Sequence, residues 1–163
     1  SFVVSKARYG LSLYGSVHMQ EDEPRSGHFQ AVQVALNNTM RLVSGKKLID
    51  KVPVKTLSDE TGIRSLNQIN AQDNLLFAWQ NVRDPDAPLN VAFNSTCGHP
   101  TMPSRSNTRG NLRESARTTL GRRNLPHTAI DVWNKTNTTE LRSAANKQLA
   151  KRIAKKLVEN LPF

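Results

Sequence analysis

Phe29, Val32, Leu36, Met40 and Val43 recur at intervals of three and four residues and stop just short of Gly45. That spacing sets them on one side of an α-helix and does not suit the two-residue period of a half-buried strand. A glycine just past the last periodic residue is a common helix stop, because it enters the left-handed region with no Cβ to clash. The same grammar continues along the chain. Pro53 opens a short helix that Gly62 closes, with Val54 and Leu57 on one side. Ser65 followed by Gln68 is a capping-box pair, and the helix it starts turns Leu66, Ile69, Leu76 and Trp79 inward. That helix is predicted to run to about Val82, where Asp84-Pro85-Asp86-Ala87-Pro88 ends it, since proline cannot continue a helix. A chain punctuated in this way folds as a mainly α-helical bundle.

Two stretches depart from the pattern. Residues 2–14 read as a short apolar helix interrupted at Gly10, with Gly15 just beyond, and the polar, acidic run Gln20 to Gly27 reads as a loop. From Asn94 to Arg123 the periodicity collapses into Ser, Thr, Asn, Pro and Gly. This segment is either an extended arm or a loop with a short strand over Asn111–Ala116. Asn124 with Pro126 then restarts helix through Trp133. Thr138 or Thr139 is expected to cap a last, long helix carrying Leu141, Ala145, Leu149, Ile153, Leu157 and Leu161 on its apolar face. The organisation this predicts is a helical bundle over 1–83, a basic irregular arm over 84–124, and C-terminal helices over 125–163 that pack on the bundle.

Charge is what bears most on function. Twenty-three Lys and Arg against 13 Asp and Glu give +10 and a surface potential that attracts polyanions. Within the arm, the segment from Asn94 to Arg123 holds Arg105, Arg109, Arg113, Arg117, Arg122 and Arg123 against the single acid Glu114. All its fixed cations are arginine, whose planar fork matches phosphate better than a lysine point charge does. The last helix offers a second row, Lys147, Lys151 and Lys155 at four-residue steps, with Arg152 and Lys156 beside them. A charged helix face is as readily a solvated surface, so the row gains its meaning from the arm. Trp79, Trp133, Phe29 and Phe77 have the ring faces to stack on bases. Their helical spacing reads instead as core, most clearly for the two tryptophans.

Catalytic and metal chemistry find no footing. The acids sit in loops (Glu21, Asp22, Glu23; Asp84, Asp86) or singly on helices, and no acidic pair flanked by apolar strands is present to hold two metals. Cys97 is the only cysteine, which precludes an internal disulfide and points to a reducing compartment. With His18, His28 and His127 scattered, no zinc-type ligand set forms around Cys97 and His99. No phosphate-binding glycine loop occurs, no apolar run is long enough to span a bilayer, and the start at Ser1 in mid-pattern reads as the edge of a longer chain. No cofactor is expected, and the four Asn-x-Ser/Thr sequons read as chance matches in an Asn- and Thr-rich chain.

Several segments, taken in order, resemble the region downstream of the palm in reverse transcriptases of non-LTR (LINE-like) retrotransposons. Lys6 to Gly15 is similar to the family's Y-G-x-x-x-[YW]-G helix, Val34 to Gly45 to its L-Q-N-x-A-L-R-x-I-x-G helix, and Pro53 to Leu66 to its P-x-x-x-L-x-x-x-x-G-I-x-S-L segment. Further on, Thr108 to Arg113, Arg117 to Asn124 and Ala129 to Asn134 resemble T-R-x-x-x-x-L-R, R-T-x-x-G-x-R-S and A-x-x-x-W-N-x-L-P. Order and spacing carry the resemblance, which covers about residues 5–155 and departs from the pattern at Lys135-Thr136-Asn137, where Leu-Pro is usual. It implies a thumb and post-thumb fragment that grips RNA, DNA or an RNA–DNA duplex beside the palm and fingers of the same polyprotein. The catalytic aspartates of that family belong to the palm and have no counterpart here, so the isolated chain is not expected to be an enzyme. The implied setting is an intracellular ribonucleoprotein, nuclear or cytoplasmic. A module derived from such an element, now serving as a structural or protein-interaction domain, is the alternative.

Overall fold

The computed structural model describes residues 2–9, 11, 27–87, 90 and 125–161. Among the described residues seven helices have defined ranges: α1 (Phe2–Arg8), α2 (Gly27–Ser44), α3 (Val54–Thr61), α4 (Leu66–Arg83), α5 (Leu125–Lys135), α6 (Thr139–Arg142) and α7 (Lys147–Glu159), with a 3₁₀ turn at Leu48–Asp50. Among the described residues there is no strand, and the protein is mainly α-helical. The stretch proposed as a strand, Asn111–Ala116, lies outside the described residues. These residues divide into two compact units whose boundary falls between Asn70 and Ala71, inside α4.

In the first unit the helix ends form where the punctuation puts them. Gly45 adopts φ 67°, and a Schellman closure follows, with Lys46 N donating to Arg41 O (2.9 Å) and Gly45 N to Leu42 O (3.3 Å). Gly62, also at φ 67°, ends α3 by donating its N–H to Ser58 O at 2.8 Å. Ser65 and Gln68 form the reciprocal capping box: Gln68 N donates to Ser65 Oγ (3.2 Å) and Ser65 N to Gln68 Oε1 (3.1 Å). The next orphan donor, Leu66 N, is satisfied from outside its helix by Gln33 Oε1 of α2 at 2.9 Å. The core of this unit is Leu11, Phe29, Leu36, Leu66 and Ile69, against which Val4, Ala7, Val32 and Ile63 pack.

One expected core residue is not inside. Val43 shares the angular position of Phe29, Leu36 and Met40 yet is 66% exposed, because it lies in the last turn of α2, past the part of that face that is covered.

The second unit begins within α4, a helix buried around most of its circumference. Ala71, Leu75, Ala78 and Trp79 are buried, and so are Gln72, Asn74 and Asn81. The expected inward position at Leu76 is only half-buried, and its neighbour Leu75 is buried completely. Where a helix is covered on several sides, a single apolar stripe no longer identifies its inner face. Its end is built as its residues dictate: Asp84 Oδ1 accepts from Asp86 N (3.1 Å), an Asx turn around Pro85, and Asn90 Nδ2 donates to Asn81 O (2.8 Å). In α5, Ala129, Ile130, Val132 and Trp133 are buried, and Lys135 pairs with Asp131 one turn back at 2.8 Å.

The expected long helix from Thr138 or Thr139 is two elements. Its first turn, α6, stops at Arg142, and Asn146 opens α7 by accepting Leu149 N at its Oδ1 (2.8 Å). An Asn with extended backbone is a stronger N-cap than either threonine. The buried stripe of α7 is Ala150, Ala154 and Val158, while Leu149 is 40% exposed and Ala145 is exposed as well. Small side chains at two successive turns allow close backbone approach, and Gln72 Nε2 of α4 reaches Lys151 O across that contact at 3.1 Å.

Candidate nucleic-acid interface

Capping by Asn146 fixes the register of α7, and the register decides which cations face out. With Ala150, Ala154 and Val158 turned inward, Lys151 and Lys155 each follow a buried alanine and therefore lie about 100° round the helix from it. Lys147, Lys151, Arg152, Lys155 and Lys156 are all exposed. Successive lysines of the row are about 6 Å apart along the axis, from a rise of about 1.5 Å per residue. From Ser143 to Val158 the chain contains no acid, and Glu159 is the first after them. Among the described residues none of the five cations is held in an ion pair.

Two nearby arginines differ in this respect. Arg83 Nη1 donates to Ala144 O, and its guanidinium lies 5.4 Å from the centroid of the Trp79 ring. Arg142 lies 5.3 Å over Trp133 and directs Nε to Thr138 Oγ1 at 3.4 Å. Both roof a buried indole and serve the interior of the unit. The cations of the described second unit that neither pair with an acid nor cover a tryptophan thus lie on α7.

Lys147 occupies the first position of α7, whose first turn carries no acidic residue. The positive end of the helix dipole disfavours a cation there and favours an anion, whereas Lys155 and Lys156 suit the opposite end. Helix stability alone accounts for the last two and not for Lys147.

Beside this face is a pocket of about 420 Å³ lined by Lys135, Thr136, Asn137, Glu140, Lys156, Leu157, Asn160 and Leu161. It is formed around the Lys135-Thr136-Asn137 segment that follows α5. Thr136 Oγ1 donates to Val132 O (2.6 Å), and Asn137 Oδ1 accepts from Thr139 Oγ1 (2.9 Å). The Asn-Thr-Thr run is the sequence signal for that turn, and the pocket itself was not foreseen from it.

Of the residues expected to bind nucleic acid, Lys147, Lys151, Arg152 and Lys155 are all exposed along α7, as is Lys156. Arg105, Arg109, Arg113, Arg117, Arg122 and Arg123 lie outside the described residues. Of the four aromatic side chains weighed as base-stacking groups, Trp79, Trp133 and Phe29 are buried and Phe77 is half-buried. Among the described residues no three His, Cys, Asp or Glu side chains converge on a possible metal position, and no helix is long and apolar enough to cross a membrane. No protein-family model, curated protein or solved structure matches the chain.

Proposed function

We propose that this chain is a nucleic-acid-binding thumb and post-thumb fragment of a non-LTR retrotransposon reverse transcriptase, gripping RNA or an RNA–DNA template–primer without catalytic residues of its own. The observation that carries the reading is the exposed, unpaired cationic face of α7. A solvated helix face ordinarily interleaves acids with its cations, and this one does not until Glu159. The arginine-only charge of the segment 94–123 and the ordered family-like motifs support the same reading. In this role the arm and α7 contact phosphates, each contact releasing a counterion, while the palm and fingers of the same polyprotein hold the metals and perform the transfer. The working environment is an intracellular ribonucleoprotein.

The test is to replace Arg109, Arg113, Arg117, Arg122 and Arg123 with Gln. These arginines belong to a segment too polar to build a core of its own. The expected result is an unchanged melting temperature with weaker duplex binding. A lower melting temperature with unchanged binding would make them structural ion-pair partners and would count against the proposal.

A further inference from the structure

The strongest uncommitted surface is in the first unit, where α2 ends. Leu42 is 83% exposed and Val43 66%, and the 3₁₀ turn that follows holds out Leu48 (72%) and Ile49 (80%). An isolated exposed leucine needs no explanation, but four large, exposed aliphatic side chains within one short run of chain are a concentration of apolar surface of the kind that marks an interaction site.

The display is built. The Schellman closure at Gly45 reverses the chain, Asp50 Oδ2 accepts from Lys47 N at 2.6 Å, and Lys51 N donates to Leu48 O at 3.3 Å. Lys51 takes φ 47°, a left-handed conformation that costs a residue with a Cβ and here closes the turn that presents Leu48 and Ile49. Lys46, Lys47 and Lys51 flank Leu48 and Ile49 in the chain, and all three are exposed. The one acid in the turn, Asp50, is occupied by the backbone of Lys47.

This combination narrows what can dock. Leu, Val and Ile offer neither a ring face nor a hydrogen bond, so they do not read bases, which stack on aromatic groups or on arginine. A second copy of the chain would bring like charges together around the patch. Bilayer-seated segments typically add an aromatic residue at headgroup level, and the run from Leu42 to Lys51 has none. Exposed apolar residues flanked in the chain by exposed lysines fit a protein segment with an apolar stripe and an acidic border. We infer that the end of α2 and the Leu48–Asp50 turn form a docking site for an acidic, apolar-striped helix of a partner protein. The inference stands apart from the duplex-binding reading, because it uses a different unit and different residues.

The experiment pans a randomised peptide library displayed on phage against the full chain and measures the affinity of synthetic copies of the enriched peptides. The expected peptides place Leu, Ile or Phe at helical spacing among Asp and Glu. Leu48→Ser with Ile49→Ser should weaken them at least about tenfold, the scale of a lost contact centre. Lys46→Gln, Lys47→Gln and Lys51→Gln together should weaken them several-fold, and less so at high salt. Both variants should keep the wild-type melting temperature, and the double-serine variant should bind duplex normally, which separates failure here from failure of the duplex reading. Three results would overturn the inference: no enriched peptide depends on Leu48 and Ile49, those residues instead drive association with phosphatidylcholine–phosphatidylserine vesicles, or they drive dimerisation of the chain.

Discussion

Trp133→Ala tests whether the C-terminal helices are held by a core or expose a base-stacking ring. Trp133 is 1% exposed, so truncating it removes a fully buried indole. Large-to-small changes of this kind cost about 3–5 kcal/mol. Two further effects act in opposite directions. Arg142 loses the ring it lies over at 5.3 Å, a cation–π contact worth about 0.5–1 kcal/mol for an arginine that is itself exposed. Against that, the indole Nε1 is buried with no hydrogen-bond partner among the described residues, and removing an unsatisfied donor returns about 1–3 kcal/mol. The net expectation is a loss of about 3 kcal/mol, which for a chain of this size lowers Tm by roughly 6–12 °C. Trp133→Phe keeps most of the ring and removes the unpaired N–H, so it should cost about 1 kcal/mol or less. Urea and thermal melts followed by far-UV circular dichroism read both variants. Wild-type stability in Trp133→Ala together with collapsed duplex binding would refute the core assignment and make Trp133 a stacking residue.

Asn146→Ala removes the side chain that caps α7 at Leu149 N and should cost about 1 kcal/mol in a denaturant melt, whereas Thr138→Ala should fall well short of losing a helix cap. Ala154→Leu forces a larger side chain into the stripe that brings α7 against its neighbours and should cost about 1–3 kcal/mol. Leu149→Ala, at a partly exposed site, should cost less than a buried leucine does, and a penalty above about 3 kcal/mol would mean that the helix register is wrong.

The parts of the fold legible in the sequence are those decided locally. Gly45, Gly62 and the Ser65/Gln68 pair act through backbone sterics and hydrogen bonds a few residues long, and each ends or starts a helix where its type demands. What periodicity missed was set by packing. It weighted Leu149 over Ala150 in α7, but close approach to α4 favours the small residue, and the buried stripe moved accordingly. In α4 the asparagines at 67, 70, 74 and 81 are all buried, which no apolar period signals. Val43 shows the converse: its angle on α2 predicts burial, and only knowledge of where the covering elements stop shows that it is exposed. The basic row on α7 was visible because an i, i+4, i+8 pattern survives any choice of inner face that leaves those positions outside. The turn that displays Leu48 and Ile49 carried no apolar period to reveal it.

The most direct test of the nucleic-acid reading is the salt dependence of binding to an RNA–DNA duplex, measured for the full chain and for a variant with Lys147, Lys151, Arg152 and Lys155 changed to Gln. With about six to eight phosphate contacts, affinity should fall roughly a thousandfold or more between about 50 and 200 mM salt. Each lost contact lowers the slope of log affinity against log salt by about 0.9, so the variant's slope should be shallower by up to about 3.6, with its helical content and Tm unchanged. A flat salt response in the wild-type chain, or a variant whose slope and affinity match it, would contradict the assignment of α7 as a phosphate-gripping surface.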